Sequence, residues 1–206
     1  MDRLASSIVF KVFFVIISYL LGSVCFGYVV AGALKKENFG REDLPGAAGS
    51  ARQMGLAKGI LVGFLDALKG MIPPLLGKLF KLDLVTICIA CLAVVIGHNW
   101  PIFFKFRGGG GLSTTIGMSM ILVPKEFIIA FPIAIISGYI YKYTLGRRLK
   151  FHPNAVGGGV GTFLLPVLSF AFNEPLPVLI LFTIVFFVVA LKGIILFYLY
   201  NVKTVG

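Results

Sequence analysis

"LPVLILFTIVFFVVALKGIILFYLY", Leu176–Tyr200, runs for 25 residues with Lys192 as its one charged side chain. As a helix rising about 1.5 Å per residue it exceeds the ~30 Å hydrocarbon core of a bilayer, which needs about 20 such residues. The stretch therefore reads as a membrane span. The rest of the chain agrees: 58% of its 206 residues are hydrophobic, and its mean hydropathy of +0.99 is far above that of a water-soluble domain. In lipid, backbone amides have no water to bond, and a helix meets that need within each segment. The expected class is all-α, a polytopic membrane helix bundle.

Apolar runs at Ile8–Ala33, Lys58–Leu79, Leu84–Gly97, Leu112–Val123, Phe127–Thr144, Val156–Phe172 and Leu176–Tyr200 give seven expected spans. The third and fourth are short for a bilayer, so either they tilt against other helices or their loops dip into the membrane. The first run exceeds the ~7–15-residue apolar region of a signal peptide, and no small-residue cleavage pattern follows it. It reads as a span that stays, with the whole chain as the mature protein. No low-complexity linker interrupts the sequence, so residues 1–206 are expected to form a single integral membrane domain.

Lysine and arginine orient the spans, because cytoplasmic loops retain positive charge. The loop after the first span carries Lys35, Lys36, Arg41, Arg52 and Lys58; the third loop carries Lys105 and Arg107; the fifth carries Lys142, Arg147, Arg148 and Lys150. The opposite side has only Arg3, Lys78, Lys81 and Lys125. The N-terminus is thus expected outside and the C-terminus inside a cell (inner or plasma) membrane. Anionic lipid headgroups and an anionic substrate are sufficient targets for the net charge of +11, and no nucleic-acid partner is expected.

The unusual loops share the cytoplasmic side. "GREDLPGAAGSARQMG" (Gly40–Gly55) joins Arg41 and Arg52 to small residues; "GHNWPIFFKFRGGGG" (Gly97–Gly111) places a histidine and a basic pair before four glycines; "HPNAVGGGVGT" (His152–Thr162) repeats the theme. Glycines let backbone N–H groups converge on an oxyanion, and the following helix N-terminus adds its positive dipole end. Small residues also serve helix packing in membranes. Packing is the reading for Gly157–Gly161, whereas Gly108–Gly111, flanked by Arg107 and by Ser113 and Thr114, read as a phosphate cradle. No Gly-Lys-Ser/Thr ends that run and no strand precedes it, so it is not a P-loop.

Asp66 and Lys69 lie three apart inside the second span and face the same way, which marks a structural ion pair. His98 stands at a helix end beside Asn99 and Trp100; by itself it is either an interfacial hydrogen-bonding group or a base. Cys25, Cys88 and Cys91 all fall in apolar runs. The Cys88/Cys91 spacing without a second pair reads as packing, so neither a metal nor a disulfide is expected.

"LLGSVCFGYVVAG", "GILVGFLDALKGMIP" and "GHNWPIFFKFRGGGGLSTTIG", in this order and spacing, resemble the bacterial acyl-phosphate:glycerol-3-phosphate acyltransferases. The likeness is carried by residues 15–120, and a family motif of the form GHxFPxFFxFKGGKG aligns with Gly97, His98, Pro101, Phe103, Phe104, Phe106, Arg107, Gly108, Gly109 and Gly111. Gly110 stands where that motif has its second lysine and Arg107 where it has its first. A second motif, GSGNxGATN, is met only at Gly46 and Ala47, with Arg52 and Gly55 downstream. A third, a histidine-arginine-asparagine tail after the last span, is absent.

The resemblance implies seven spans with an outside N-terminus, and an enzyme that moves a fatty acyl group from acyl phosphate to glycerol 3-phosphate, giving lysophosphatidic acid without cofactor, metal or coenzyme A. It implies His98 and Arg107 as catalytic residues, with Arg52, Lys105, Gly108, Gly109, Gly110, Gly111, Ser113 and Thr114 binding phosphate and substrate. The expected partners are glycerol 3-phosphate, acyl phosphate and membrane lipids, and the expected state is a monomer. Two alternatives remain open: a non-catalytic paralogue that binds phospholipid or acyl phosphate, which suits the missing lysine and tail, and a small anion transporter, for which the Pro73-Pro74 interruption speaks but no internal repeat does.

Overall fold

The computed structural model describes residues 7–36, 38–40, 43–146 and 151–201. Arg3, Arg41, Arg147, Arg148 and Lys150, which enter the charge count above, lie outside the described residues. The described elements are helical: α1 (Ile8–Ser23), α2 (Phe26–Ala33), α3 (Ala47–Met54), α4 (Leu56–Leu79), α5 (Leu84–Asn99), a 3-10 turn at Ile102–Phe104, α6 (Leu112–Leu122), α7 (Pro124–Tyr143), α8 (Pro153–Ala171) and α9 (Leu176–Asn201). They fall into two compact units, residues 1–122 and 123–206.

Among the described residues five helices are long and apolar enough to cross a membrane alone, and six if the bent pair α1/α2 counts as one span. The apolar α6 has 11 residues, about 16 Å at ~1.5 Å per residue, and does not span a bilayer by itself. Two expectations need correction. The run Ile8–Ala33 is not one helix: it breaks at Val24 and Cys25, with the two parts at 43°. The third run is not short: α5 and the turn after it form a 21-residue apolar segment from Leu84 to Phe104.

In the first unit small residues set the contacts. A Cβ on Gly22 would lie 2.2 Å from the Val94 carbonyl oxygen, and one on Gly97 would lie 2.2 Å from that of Tyr19. Any larger residue at either position would force α1 off α5, so the glycines allow the backbone approach that holds helices together in lipid. The same device joins α4 to α6 through Gly70 and Gly117. Helix ends are capped by charge: Asp83 accepts from the Thr86 amide at 3.0 Å and lies 2.7 Å from Lys11 Nζ. The Lys11 and Thr86 contacts hold the Asp83 carboxyl well below the usual carboxylate range. Lys78 donates to the Ile121 carbonyl at 2.7 Å, a cation at the negative end of α6.

In the second unit α8 packs between α7 and α9. "GGGVG" lies within α8, and Cβ atoms on Gly157 and Gly161 would collide with Ala134 of α7. Those glycines serve packing, as read from the sequence. At the far end of this helix pair Glu126 is fully buried, and the loop residue Glu174 lies beside it. Burial first, then the charge of Glu126, push the Glu174 carboxyl above its usual value. A raised folded-state value contributes stability that is fully present below the unfolded value of about 4.3 and is lost as pH rises through the folded one. The melting temperature of the detergent-solubilised protein is therefore expected to fall as pH rises from that value toward neutrality, and Glu174→Gln should flatten the fall. An equal slope in the variant would remove Glu174 from the account.

Candidate active site

The break between α1 and α2 frees backbone carbonyls in the membrane, and each must find a donor. Lys69 of α4 supplies it: its Nζ donates to Gly22 O at 3.0 Å and Val24 O at 2.7 Å. The same ammonium sits 2.8 Å from Asp66 Oδ1, 2.9 Å from His98 Nδ1 and 5.6 Å from the centre of the Phe26 ring. Its three hydrogens are taken by Gly22 O, Val24 O and His98 Nδ1, Asp66 is the paired anion, and Lys69, Asp66 and His98 are all buried. The expected Asp66–Lys69 pair is present, with His98 as its third member.

An ammonium only donates, so with Lys69 charged Nδ1 is the acceptor and a neutral imidazole carries its hydrogen on Nε2. The Asp66 Oδ1 to His98 Nδ1 distance is longer, 3.5 Å. His98 therefore presents a donor on its outer edge. That edge faces Gly109: a Cβ there would lie 2.2 Å from His98 Nε2.

The glycine run is folded back over the end of α5. The Gly109 amide donates to His98 O at 3.1 Å, and Cβ atoms on Gly108 and Gly111 would collide with the His98 carbonyl and the Asn99 side chain respectively. The Gly109 amide is thereby already used. Gly110 differs: nothing lies within 4 Å of the position its Cβ would take. The first glycine-rich loop comes to the same place, since a Cβ on Gly46 would be 3.8 Å from Gly109 Cα. Between the α5 end and the glycines, the segment Pro101–Arg107 makes a tight reversal. Phe106 N donates to Pro101 O at 2.9 Å, and Lys105 and Phe106 both take left-handed backbone, φ 52° and 60°. Two successive non-glycine residues there carry strain of the kind found at ligand sites. Phe104 stacks on Tyr28 at 4.5 Å and Tyr19 donates to Trp100 O at 3.0 Å, which pins the loop to the first unit.

Several described serine and threonine hydroxyls in these helices bond a carbonyl three or four residues back, as do Ser18, Ser23, Ser119, Thr162 and Thr183. In the first unit Ser50, Thr114 and Thr115 do not: they are buried with no hydrogen-bond partner, as is Ser169 in the second. Thr114 and Thr115 lie in the first turn of α6, directly after the glycines. Ser50 lies on α3, directly after the other loop. Such orphans beside a helix N-terminus are fitted to a ligand with several acceptor oxygens. Ser113 is half-buried, its Oγ 3.7 Å from where a Gly63 Cβ would be.

The cations are placed less centrally than the sequence suggests. Lys105 and Arg107 are exposed. Arg52 makes a two-pronged contact with Asp43, Nη2 to Oδ1 at 2.7 Å and Nε to Oδ2. His98, Gly108–Gly111, Ser113, Thr114 and Arg52 all fall in the first unit; Ser50 and the attachment of His98 to Asp66 and Lys69 are not expected from the sequence. The stretch His152–Thr162 and Lys192 belong to the second unit. Among the described residues no cluster of three or more His, Cys, Asp or Glu is placed to hold a metal ion.

Residues 12–201 match the family model described as glycerol-3-phosphate acyltransferase. The chain is 40% identical over 140 residues to the glycerol-3-phosphate acyltransferase of Shouchella clausii (strain KSM-K16), covering 66% of this chain and 68% of that protein. It is 38% identical over 176 residues to the glycerol-3-phosphate acyltransferase of Halalkalibacterium halodurans, covering 83% and 82%. The crystal structure of PlsY (YgiH), an integral membrane glycerol 3-phosphate acyltransferase, superposes in its glycerol 3-phosphate form with a TM-score of 0.77 at 30% identity. That match covers 88% of this chain and 87% of that one. Its lysophosphatidic acid form superposes with a TM-score of 0.75.

Proposed function

Because the chain belongs to the glycerol-3-phosphate acyltransferase family, we propose that it transfers a fatty acyl group from acyl phosphate to a hydroxyl of glycerol 3-phosphate, giving lysophosphatidic acid for phospholipid synthesis. The observation that carries this reading is the meeting of the Gly46 and Gly109 loops over the outer edge of His98, with the buried unpartnered hydroxyls of Ser50, Thr114 and Thr115 on the adjoining helices.

In the reaction the acceptor hydroxyl oxygen attacks the acyl carbonyl carbon, the carbonyl–phosphate bond breaks, and the hydroxyl proton leaves on the departing phosphate. No side-chain nucleophile is needed, and holding both phosphates in register supplies several kcal/mol. His98 Nε2–H donates to a phosphate oxygen or to the developing oxyanion, which preorganised donors stabilise most. The first amides of α6 and the hydroxyls of Ser113, Thr114 and Thr115 hold the phosphate. Exposed Lys105 and Arg107 draw the anions to the membrane surface. The acyl chain lies among the helices, entering from the bilayer. On the lysine and arginine distribution the N-terminus lies outside, and residues 40–55, which include α3, and 98–111 lie inside.

The purified protein in neutral detergent, given labelled glycerol 3-phosphate with either palmitoyl phosphate or palmitoyl-CoA, is expected to form lysophosphatidic acid from the phosphate donor only. Product from the CoA ester alone, or from neither donor, would reject the reading. The contact between Asp43 and Arg52 and the open space at Gly110 favour, as a second reading, a paralogue that binds the same ligands without turnover.

A further inference from the structure

Arg52 closes the last turn of α3, and its guanidinium meets the Asp43 carboxylate across the loop in a fork geometry. That is the arrangement arginine otherwise offers to a phosphate. The carboxylate is itself held in place, since Asp43 Oδ1 also accepts from the Leu44 amide at 2.7 Å. A second set of bonds ties the loop to the same helix. The Gly40 amide donates to Gln53 Oε1 at 3.1 Å, and Gln53 Nε2 donates to Leu44 O and Gly49 O at 3.3 and 3.2 Å. Asp43 thus sits just before Gly46, which meets Gly109, in a segment bonded to α3. The two side chains are part-exposed, 21% for Asp43 and 40% for Arg52, so an entering anion can reach them from water.

We propose that Asp43 is a specificity-determining residue: an anion built into the loop that occupies Arg52 and must be displaced before a phosphate ester can take the same fork. The proposal rests on the reading of this loop cluster as a phosphate site. Its consequence is a site that fills only at a higher concentration of phosphate ester than its arginine would otherwise require. A doubly charged phosphate is penalised twice, by competition for the guanidinium and by repulsion from the displaced carboxylate. An exposed pair of this kind is weak enough for a ligand to open.

Asp43→Asn keeps the shape and the acceptor for the Leu44 amide while removing the charge. Binding of glycerol 3-phosphate and of inorganic phosphate to the purified full chain, measured by calorimetry in neutral detergent, is expected to tighten about tenfold in Asp43→Asn. The gain should vanish when Arg52→Ala is added. Unchanged or weaker binding in Asp43→Asn would overturn the proposal, because Asp43 would then position Arg52 or merely staple the loop. So would a gain that persists without Arg52. If the Asn variant does not fold, Asp43→Ser is read by the same criteria. Tighter phosphate binding in variants that form no lysophosphatidic acid would uphold the role of Asp43 while rejecting the acyltransfer reading, so the two fail separately.

Discussion

Asp66→Asn is expected to lower stability by about 3–5 kcal/mol, which for a chain of this size is a fall of roughly 6–20 °C in melting temperature. The ammonium of Lys69 would stay buried, still bonded to Gly22 O and Val24 O, but with no anion beside it. Breaking one side of a buried pair costs more than removing both. Asp66→Asn combined with Lys69→Met should therefore lose less than the sum of the two single changes, although the α1/α2 break would then lack its cation. Thermal melts of the three variants in one detergent decide the matter, and a fall of a degree or less in Asp66→Asn would contradict the assigned network.

The second large effect separates two neighbouring glycines. In Gly109→Ala the new methyl would lie 2.2 Å from His98 Nε2. Either the imidazole leaves Lys69 or the loop lifts and breaks the 3.1 Å bond from the Gly109 amide to His98 O. A displacement near 1 Å at reacting groups costs about a hundredfold in rate. Gly110→Ala meets open space and should leave the rate within about twofold, since surface changes away from such contacts are nearly neutral. Equal rates of acyl transfer in the two variants would show that the glycines do not position His98.

Much of this arrangement was legible in the sequence because it rests on local pattern. The apolar runs gave the helices, and the three-residue spacing of Asp66 and Lys69 gave their pairing. The four glycines after Arg107 gave a loop at the start of α6. What was not legible depends on contacts between distant segments. His98 is 29 residues from Lys69, and no local pattern shows that a lysine meant for an aspartate also holds an imidazole. The break at Val24 and Cys25 was hidden because both residues are apolar, and the donor that makes it tolerable comes from another helix. Nothing in the local pattern pairs Arg52 with Asp43, nine residues earlier; only the fold brings its carboxylate round to the guanidinium. Gly109 and Gly110 are indistinguishable as letters, yet one lies against a ring and the other does not.

Acyl transfer to glycerol 3-phosphate is assigned to the loops gathered over His98. Its most direct test is the initial rate of lysophosphatidic acid formation from palmitoyl phosphate by the wild type and by His98→Ala, prepared side by side and matched for folded protein by thermal melt. Product is expected from the wild type, and a rate lower by about a hundredfold or more in His98→Ala, as for loss of an oxyanion donor. No product from folded wild type, or equal rates in the two proteins, would contradict it.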